Sequence, residues 1–113
     1  MNVAVEMVND TPVARLSGEV DMSNVRMIEE RIGGSVSNKA FAVVVDLTDV
    51  TYLDSAGIRL LYQLDSRVQS RQQRLVIVVP IDAAINRTLE ASGTIGTLKI
   101  VRSQQDAFAA LAS

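Results

Sequence analysis

The chain contains no cysteine, no histidine and no tryptophan. Without cysteine there is no disulfide framework, no thiolate nucleophile and no zinc–sulfur site. Without histidine a Ser-His-Asp triad, an imidazole general base and a histidine phosphocarrier are excluded. Aromatic residues are scarce, and only Phe41, Tyr52, Tyr62 and Phe108 are available to stack on bases. Positive charge is not in excess either. Eleven lysines and arginines face thirteen aspartates and glutamates, a net charge of −2, which argues against a general nucleic-acid binder because that needs a basic footprint. The apolar run 40–45 is strand-sized, and no run approaches the ~18 residues of a membrane span, so no membrane insertion is expected. No basic segment followed by an apolar one marks a secretory signal, and the cytoplasm is the expected compartment.

What is present suits one domain over residues 1–113. The chain is 48% hydrophobic and 21% charged, enough to build a core without metal or disulfide staples. Val3, Val5 and Met7 alternate like a half-buried strand. Asn9, Asp10, Thr11 and Pro12 signal a turn, and 13–17 reads as a second strand closing an antiparallel hairpin. Gly18 is expected to break it. Asp21 or Ser23 then caps a helix with Val25, Ile28 and Ile32 on one face and Arg26, Glu29 and Glu30 turned outward, stopped by Gly33 and Gly34. Residues 41–46 read as a strand covered on both faces and ended by Asp46. A loop is expected over 49–54. The longest helix is predicted over 55–70, with Gly57, Leu61, Leu64 and Val68 inward. A buried strand over 75–79 ends at Pro80. Asp82 caps a short helix to Ser92, with Ile85 and Leu89 inward and Gly93 beyond it. A strand over 98–101 precedes a last helix capped by Ser103, with Ala107, Phe108 and Leu111 inward. The order β-β-α-β-α-β-α-β-α predicts an α/β fold: a mixed, mostly parallel sheet of about five strands with four helices and right-handed crossovers.

Three polar groups are placed by this reading at carboxyl ends of strands, where functional groups of open α/β sheets gather. They are Asp46, the stretch Asp54-Ser55-Ala56-Gly57, and Glu19-Val20-Asp21. Ser55 has two readings. With Asp54 it forms an N-cap pair holding the helix start. Alternatively its hydroxyl accepts a phosphate, for which the helix N–H groups are prepared and which Gly57 lets approach closely. Residue types alone leave both open. A hydrolytic Ser nucleophile needs an adjacent base; only Asp21, Asp46, Asp54 or a lysine could serve, and Lys39 and Lys99 lie in other segments. Asp46 as a phosphorylated receiver-type aspartate would need an acidic metal-binding pair after the first strand, but Asn9 and Asp10 lie in the hairpin turn. As a structural group Asp46 caps the loop behind it. Ile58, Arg59, Tyr62, Gln63 and Ser66 fall on the outer side of the long helix. Ile58 and Tyr62 form an i, i+4 pair that either packs inward or makes an apolar patch beside Ser55, where an aromatic and an arginine would anchor a partner. There is no glycine-rich phosphate loop, metal cluster or basic stripe.

Three motifs in this order resemble one family. They are Leu16-Ser17-Gly18-Glu19-Val20-Asp21, the stretch Asp46-Leu47-Thr48-Asp49-Val50-Thr51-Tyr52-Leu53-Asp54-Ser55-Ala56-Gly57-Ile58, and Leu89-Glu90-Ala91-Ser92-Gly93. The chain resembles, over nearly its whole length, the STAS domain, and within it the stand-alone bacterial anti-sigma factor antagonists. The resemblance implies a five-strand mixed sheet with helices mainly on one face and no catalysis of its own; no cofactor or metal is expected. It implies that Ser55 is phosphorylated by a partner anti-sigma factor with an ATP-binding kinase fold. The unphosphorylated form would bind that factor and free a sigma factor, and a PP2C-type phosphatase would reset the cycle. Asp21 matches the acidic position beside the acceptor and Asp54 the one before it. Ala56 stands where a second serine is common, leaving one acceptor. The implied partner surface comprises Asp21, Asp54, Ser55, Ala56, Gly57, Ile58, Arg59 and Tyr62.

Two alternatives lie within the same superfamily. One is a structural STAS subunit on the ATPase of a lipid-trafficking ABC transporter, often with threonine at the acceptor position. The other is a stressosome-type regulator, which usually carries extra N-terminal sequence. A third alternative is a small nucleotide- or ligand-binding regulatory domain using Asp21, Asp46 and Ser55. The first strand reads as an edge open to pairing, so a monomer or weak homodimer is expected.

Overall fold

The computed structural model describes residues 1–37 and 39–112. The alternating strands Asn2–Val8 (β1) and Thr11–Val20 (β2) pair antiparallel across only Asn9 and Asp10. Both turn residues have positive φ, +50° and +63°. That two-residue turn has the twist of the strands it joins, and Asn and Asp tolerate the left-handed region best after glycine. Thr11 and Pro12 therefore belong to β2 and not to the turn. Gly18 does not end β2. It takes φ +95° beside a register shift against the next strand, so the strand bulges there and continues to Val20.

Helix α1 (Val25–Ser35) buries Ile28 and Ile32 and leaves Val25 half-buried. It continues through Gly33 and Gly34, because glycine weakens a helix by only ~1 kcal/mol and packing on the sheet outweighs that. Neither Asp21 nor Ser23 caps it. Its N-cap is Asn24, without a side-chain cap bond.

Strand β3 (Ala42–Leu53) is longer than its apolar run. The loop expected over 49–54 is strand as far as Leu53, since the extra length of β2 pairs with it: Ser17 with Asp49, Gly18 with Val50, Glu19 with Tyr52 and Val20 with Leu53. Asp46 consequently lies inside a strand and not at its end.

Helix α2 (Ser55–Gln69) buries Gly57, Leu60, Leu61, Leu64 and Val68. Strand β4 (Arg74–Val78) follows. Helix α3 (Asn86–Ala91) starts four residues after Asp82, which does not cap it, and Gly93 lies just past its end. A 3-10 turn over Thr94–Gly96 leads to strand β5 (Ile100–Val101). In helix α4 (Gln104–Leu111) the Ser103 hydroxyl caps by accepting from the Asp106 amide at 3.0 Å.

The five strands lie in sequence order, with β1–β2 antiparallel and the others parallel. One face of the sheet packs Val43, Val45 and Leu47 against α1, α2 and α3 in the main core. The other packs Val13, Val44, Val76 and Val78 against Ala107 and Leu111 of α4. Covering on both faces explains why 42–47 is apolar at nearly every position. Among the described residues no helix is long and apolar enough to cross a membrane.

Candidate functional site

Strands β2, β3 and β4 all deliver their carboxyl ends to one rim of the sheet, and three chain segments meet there. The first is the loop 21–24. The Asp21 carboxylate Oδ1 accepts from the Ser23 amide at 2.9 Å. Asn24 closes the same loop: its Oδ1 accepts from the Asp21 amide at 3.0 Å and its Nδ2 donates to the Glu19 carbonyl at 2.9 Å. Tied at both ends, the loop pushes Met22 out to 78% exposure.

The second segment is the start of α2. Asp54 is its N-cap, with Oδ1 accepting from the Gly57 amide at 2.9 Å. Its Oδ2 accepts from the Met22 amide at 3.2 Å, which binds the loop carrying Asp21 to the helix. Of the expected cap pair only Asp54 caps. Ser55 is the first helical residue, exposed, and its hydroxyl has no hydrogen-bond partner among the described residues. Gly57 is not open to an approaching phosphate. It is buried where α2 presses on the sheet, and a Cβ there would stand 2.5 Å from Leu53 Cδ1 and 3.2 Å from Val20 Cγ1. The glycine therefore sets how closely the helix, and Ser55 with it, sits on the strand ends.

The third segment is the turn after β4, fixed by two residues the sequence reading did not single out. Asn86 Nδ2 donates to the carbonyls of Pro80 (2.8 Å), Ile81 (3.1 Å) and Ala83 (3.1 Å). Arg102 Nη1 in turn donates to Asn86 Oδ1 at 2.8 Å and to the Val79 carbonyl at 3.2 Å. This clamp holds Ile81 out at 75% exposure.

Two grooves flank α2. Between α2 and α3 runs one of about 530 Å³, lined by Ser55, Ile58, Arg87, Thr88, Ala91 and Ser92. Between α1 and α2 runs one of about 340 Å³, whose walls include Ala56, Arg59, Gln63, Arg26 and Glu29. The helix thus divides the expected surface. Ser55 and Ile58 face α3, whereas Ala56 and Arg59 face α1. Ile58 and Tyr62 form no free-standing patch, since both are half-buried against the main core, and Ile58 surfaces only as groove wall.

Asp46 is absent from the rim. It is 6% exposed on the α4 face. Its Oδ1 accepts from the Thr48 amide at 2.9 Å and its Oδ2 from Gln104 Nε2 at 2.8 Å. It pins α4 to the sheet. The groups that the sequence reading missed, Met22, Ile81, Asn86, Arg87 and Arg102, sit in loops or at a helix start. Their signal was weak: lone apolar residues beside Asp21 and Pro80, and an asparagine one turn before a buried leucine.

The model of the STAS domain family matches residues 2–107. The anti-sigma-F factor antagonist RsfB of Mycobacterium tuberculosis is 27% identical over 107 residues, covering 95% of this chain and 86% of that protein. The crystal structure of an anti-sigma factor antagonist from Mycobacterium paratuberculosis superposes with a TM-score of 0.86 at 26% identity, over 99% of this chain and 94% of that one. The Bacillus cell fate determinant SpoIIAA, solved in its phosphorylated form, shares the fold with a TM-score of 0.70 at 20% identity, over 97% of this chain and 99% of that one.

Proposed function

The chain belongs to the STAS domain family, and on that premise we propose that it is an anti-sigma factor antagonist switched by phosphorylation of Ser55. In this reading the unphosphorylated domain binds an anti-sigma factor through the rim, with Asp21, Asp54, Ser55, Ala56, Ile58, Arg59 and Tyr62 at or beside the contact and Gly57 supporting it from beneath. A sigma factor is thereby released. The role is regulatory, with no chemistry of its own. The anti-sigma factor carries an ATP-binding kinase fold. It transfers the γ-phosphoryl group of ATP to Ser55: the hydroxyl oxygen bonds to phosphorus, the bond to the bridging oxygen breaks, ADP leaves and the hydroxyl proton is lost. A PP2C-type phosphatase reverses the modification by hydrolysis. The protein works in the cytoplasm, over 1–113 as one domain, as a monomer or weak dimer.

The observation that carries this reading is the division of labour at the start of α2. Asp54 does the capping, so the exposed Ser55 hydroxyl, unpartnered among the described residues, is left for another use. It stands amid exposed apolar side chains, with Met22 and Ile81 on the adjoining loops. A phosphate there is tolerated in the free domain, where the helix end stabilises it by about 0.3–1 kcal/mol. Pressed against a partner without a cation, the same charge costs several kcal/mol. Each 1.4 kcal/mol is about tenfold in affinity, so the switch needs no refolding.

The test is affinity capture of the tagged protein from its own cells with identification of the partners, wild type beside Ser55→Glu. An ATP-binding anti-sigma factor held by wild type and lost with Ser55→Glu supports the reading. A transporter ATPase held equally by both overturns it. Calorimetry with the purified partner should find Ser55→Ala binding at least as tightly as wild type and Ser55→Asp more weakly; equal affinities for the two variants would sink the switch.

A further inference from the structure

Resting on the reading of Ser55 as a phosphate acceptor, we propose that Arg87 captures the phosphate across the α2–α3 groove and so closes that groove to the partner. The argument begins with the arginines. Four are committed elsewhere: Arg15 to Glu6, Arg31 to the Val3 carbonyl, Arg67 to Glu29, and Arg102 to Asn86 and Val79. Of the other arginines lining the two grooves beside α2, three have no hydrogen bond or ion pair among the described residues: Arg26 on α1, Arg59 and Arg87, and Arg26 lies in the α1–α2 groove that Ser55 does not line. Arg59 is one turn along the same helix, but it lines the α1–α2 groove together with Ala56. Arg87 is on the opposite wall of the groove that Ser55 itself lines. Thr88 beside it offers a hydroxyl on the same wall, whereas the Ser92 hydroxyl already donates to the Leu89 carbonyl at 3.1 Å.

A phosphoserine adds length and a charge of about −1.5 to −2 on one wall, and a guanidinium is the longest cationic arm the other wall could offer. Their pairing spans the groove that Ile58 and Ala91 line, so that apolar lining is removed from a partner's reach. Phosphorylation then acts by occlusion as well as by charge. A carboxylate at position 55, shorter and singly charged, reproduces only the second effect, and phosphoserine lowers partner affinity more than Ser55→Asp does.

The probe is the phosphate itself. Phosphoserine is incorporated at position 55 during translation, which requires no kinase, and its second ionisation is followed by phosphorus NMR. The acidic groups on the elements around it are Asp21, on the loop tied to Asp54 and accepting from the Ser23 amide, Asp54, committed to the Gly57 and Met22 amides, Asp82 on the turn after β4, and Glu90, one turn along α3 from Arg87. All four are present in every variant compared. In the otherwise wild-type domain the second pKa is expected below the usual value of about 6, because a nearby cation favours the dianion. Arg87→Gln is expected to raise it by about half a unit, the size suited to a partly solvated pair. Arg59→Gln is expected to raise it by less than half as much. An unchanged pKa in Arg87→Gln, or an Arg59→Gln shift as large as that of Arg87→Gln, overturns the assignment. The partner-capture experiment is independent, so failure of the switch reading and failure of the Arg87 contact give different results.

Discussion

Asp46 and Asp54 lie on opposite sides of the same sheet, and both use both carboxylate oxygens within the fold. They differ in what surrounds them. On the α4 side Asp46 is buried, and the groups it holds, Thr48 and Gln104, serve only to fix a helix. At the strand-end rim Asp54 holds two backbone amides, and several side chains around it have no partner among the described residues: the Ser55 hydroxyl, the Arg59 and Arg87 guanidinium groups, and exposed Met22 and Ile81. One region satisfies its polar groups and covers its apolar ones. The other uses its polar bonds to hold three chain segments in place and leaves the Ser55, Arg59, Arg87, Met22 and Ile81 side chains to solvent or to a partner. The first arrangement gives stability, and the second gives recognition. Substitutions on the two sides should therefore separate melting temperature from affinity.

The largest effect should come from the one position that supports the rim from inside the core. Gly57→Val places a branched side chain where even a Cβ stands 2.5 Å from Leu53. Overpacking of this kind costs about 1–3 kcal/mol, and each kcal/mol lowers Tm by roughly 4–8 °C in a domain of this size. The helix must move to relieve the clash, so partner affinity should fall as well. A variant of wild-type Tm would mean that the glycine does not set the helix position.

Next is Asp46→Ala, which leaves Gln104 without its acceptor and a buried site without its polar filling. The expected loss is about 1–3 kcal/mol, read by denaturant unfolding, with partner affinity unchanged. A drop in affinity without a drop in stability would break the distinction between the two sides. On the rim the opposite outcome is expected. Met22→Ala and Ile81→Ala, both at least three-quarters exposed, should each weaken partner binding about tenfold, or ~1.4 kcal/mol by calorimetry. Their Tm should stay within a degree or two, because exposed positions contribute little to the fold.

The contrast also explains what was legible in the sequence. Asp54 and Ser55 were readable because N-cap chemistry is local: a carboxylate before a periodic apolar face needs no tertiary information. Most of the inward faces of α1, α2 and α3 followed from periodicity, and the order of elements from periodicity together with turn and cap residues. Asp46 was misplaced because its partner, Gln104, lies 58 residues away. The stretch 49–54 reads as a loop, and it is strand as far as Leu53 because the bulge at Gly18 lets β2 extend beside it. Gly57 looked like room for a phosphate, and only Leu53 and Val20 on neighbouring strands reveal that the space is filled. Arg87 carries no pattern in sequence and Ile81 only a weak one beside Pro80, since their importance comes from which groove or rim the turn after β4 delivers them to.

The smallest and sharpest effect should be at Asp54, the residue that belongs to both descriptions. Its Oδ1 caps α2 through the Gly57 amide, and its Oδ2 ties down the loop carrying Met22. Asp54→Ala removes both bonds. Loss of the cap alone is worth about 1 kcal/mol, and the freed loop should lower partner affinity a few-fold by letting Met22 move. Asp54→Asn separates the two. Asparagine caps as well as aspartate, so Oδ1 can still serve the helix and stability should return close to wild type. The second oxygen is now an NH2 group that cannot accept from the Met22 amide, so the loop stays untied and affinity should remain low. Recovery of Tm without recovery of affinity is the expected result, measured on the three proteins side by side. Recovery of both would mean that the Asp54–Met22 bond does not position the rim, and that the cap alone holds the site in shape.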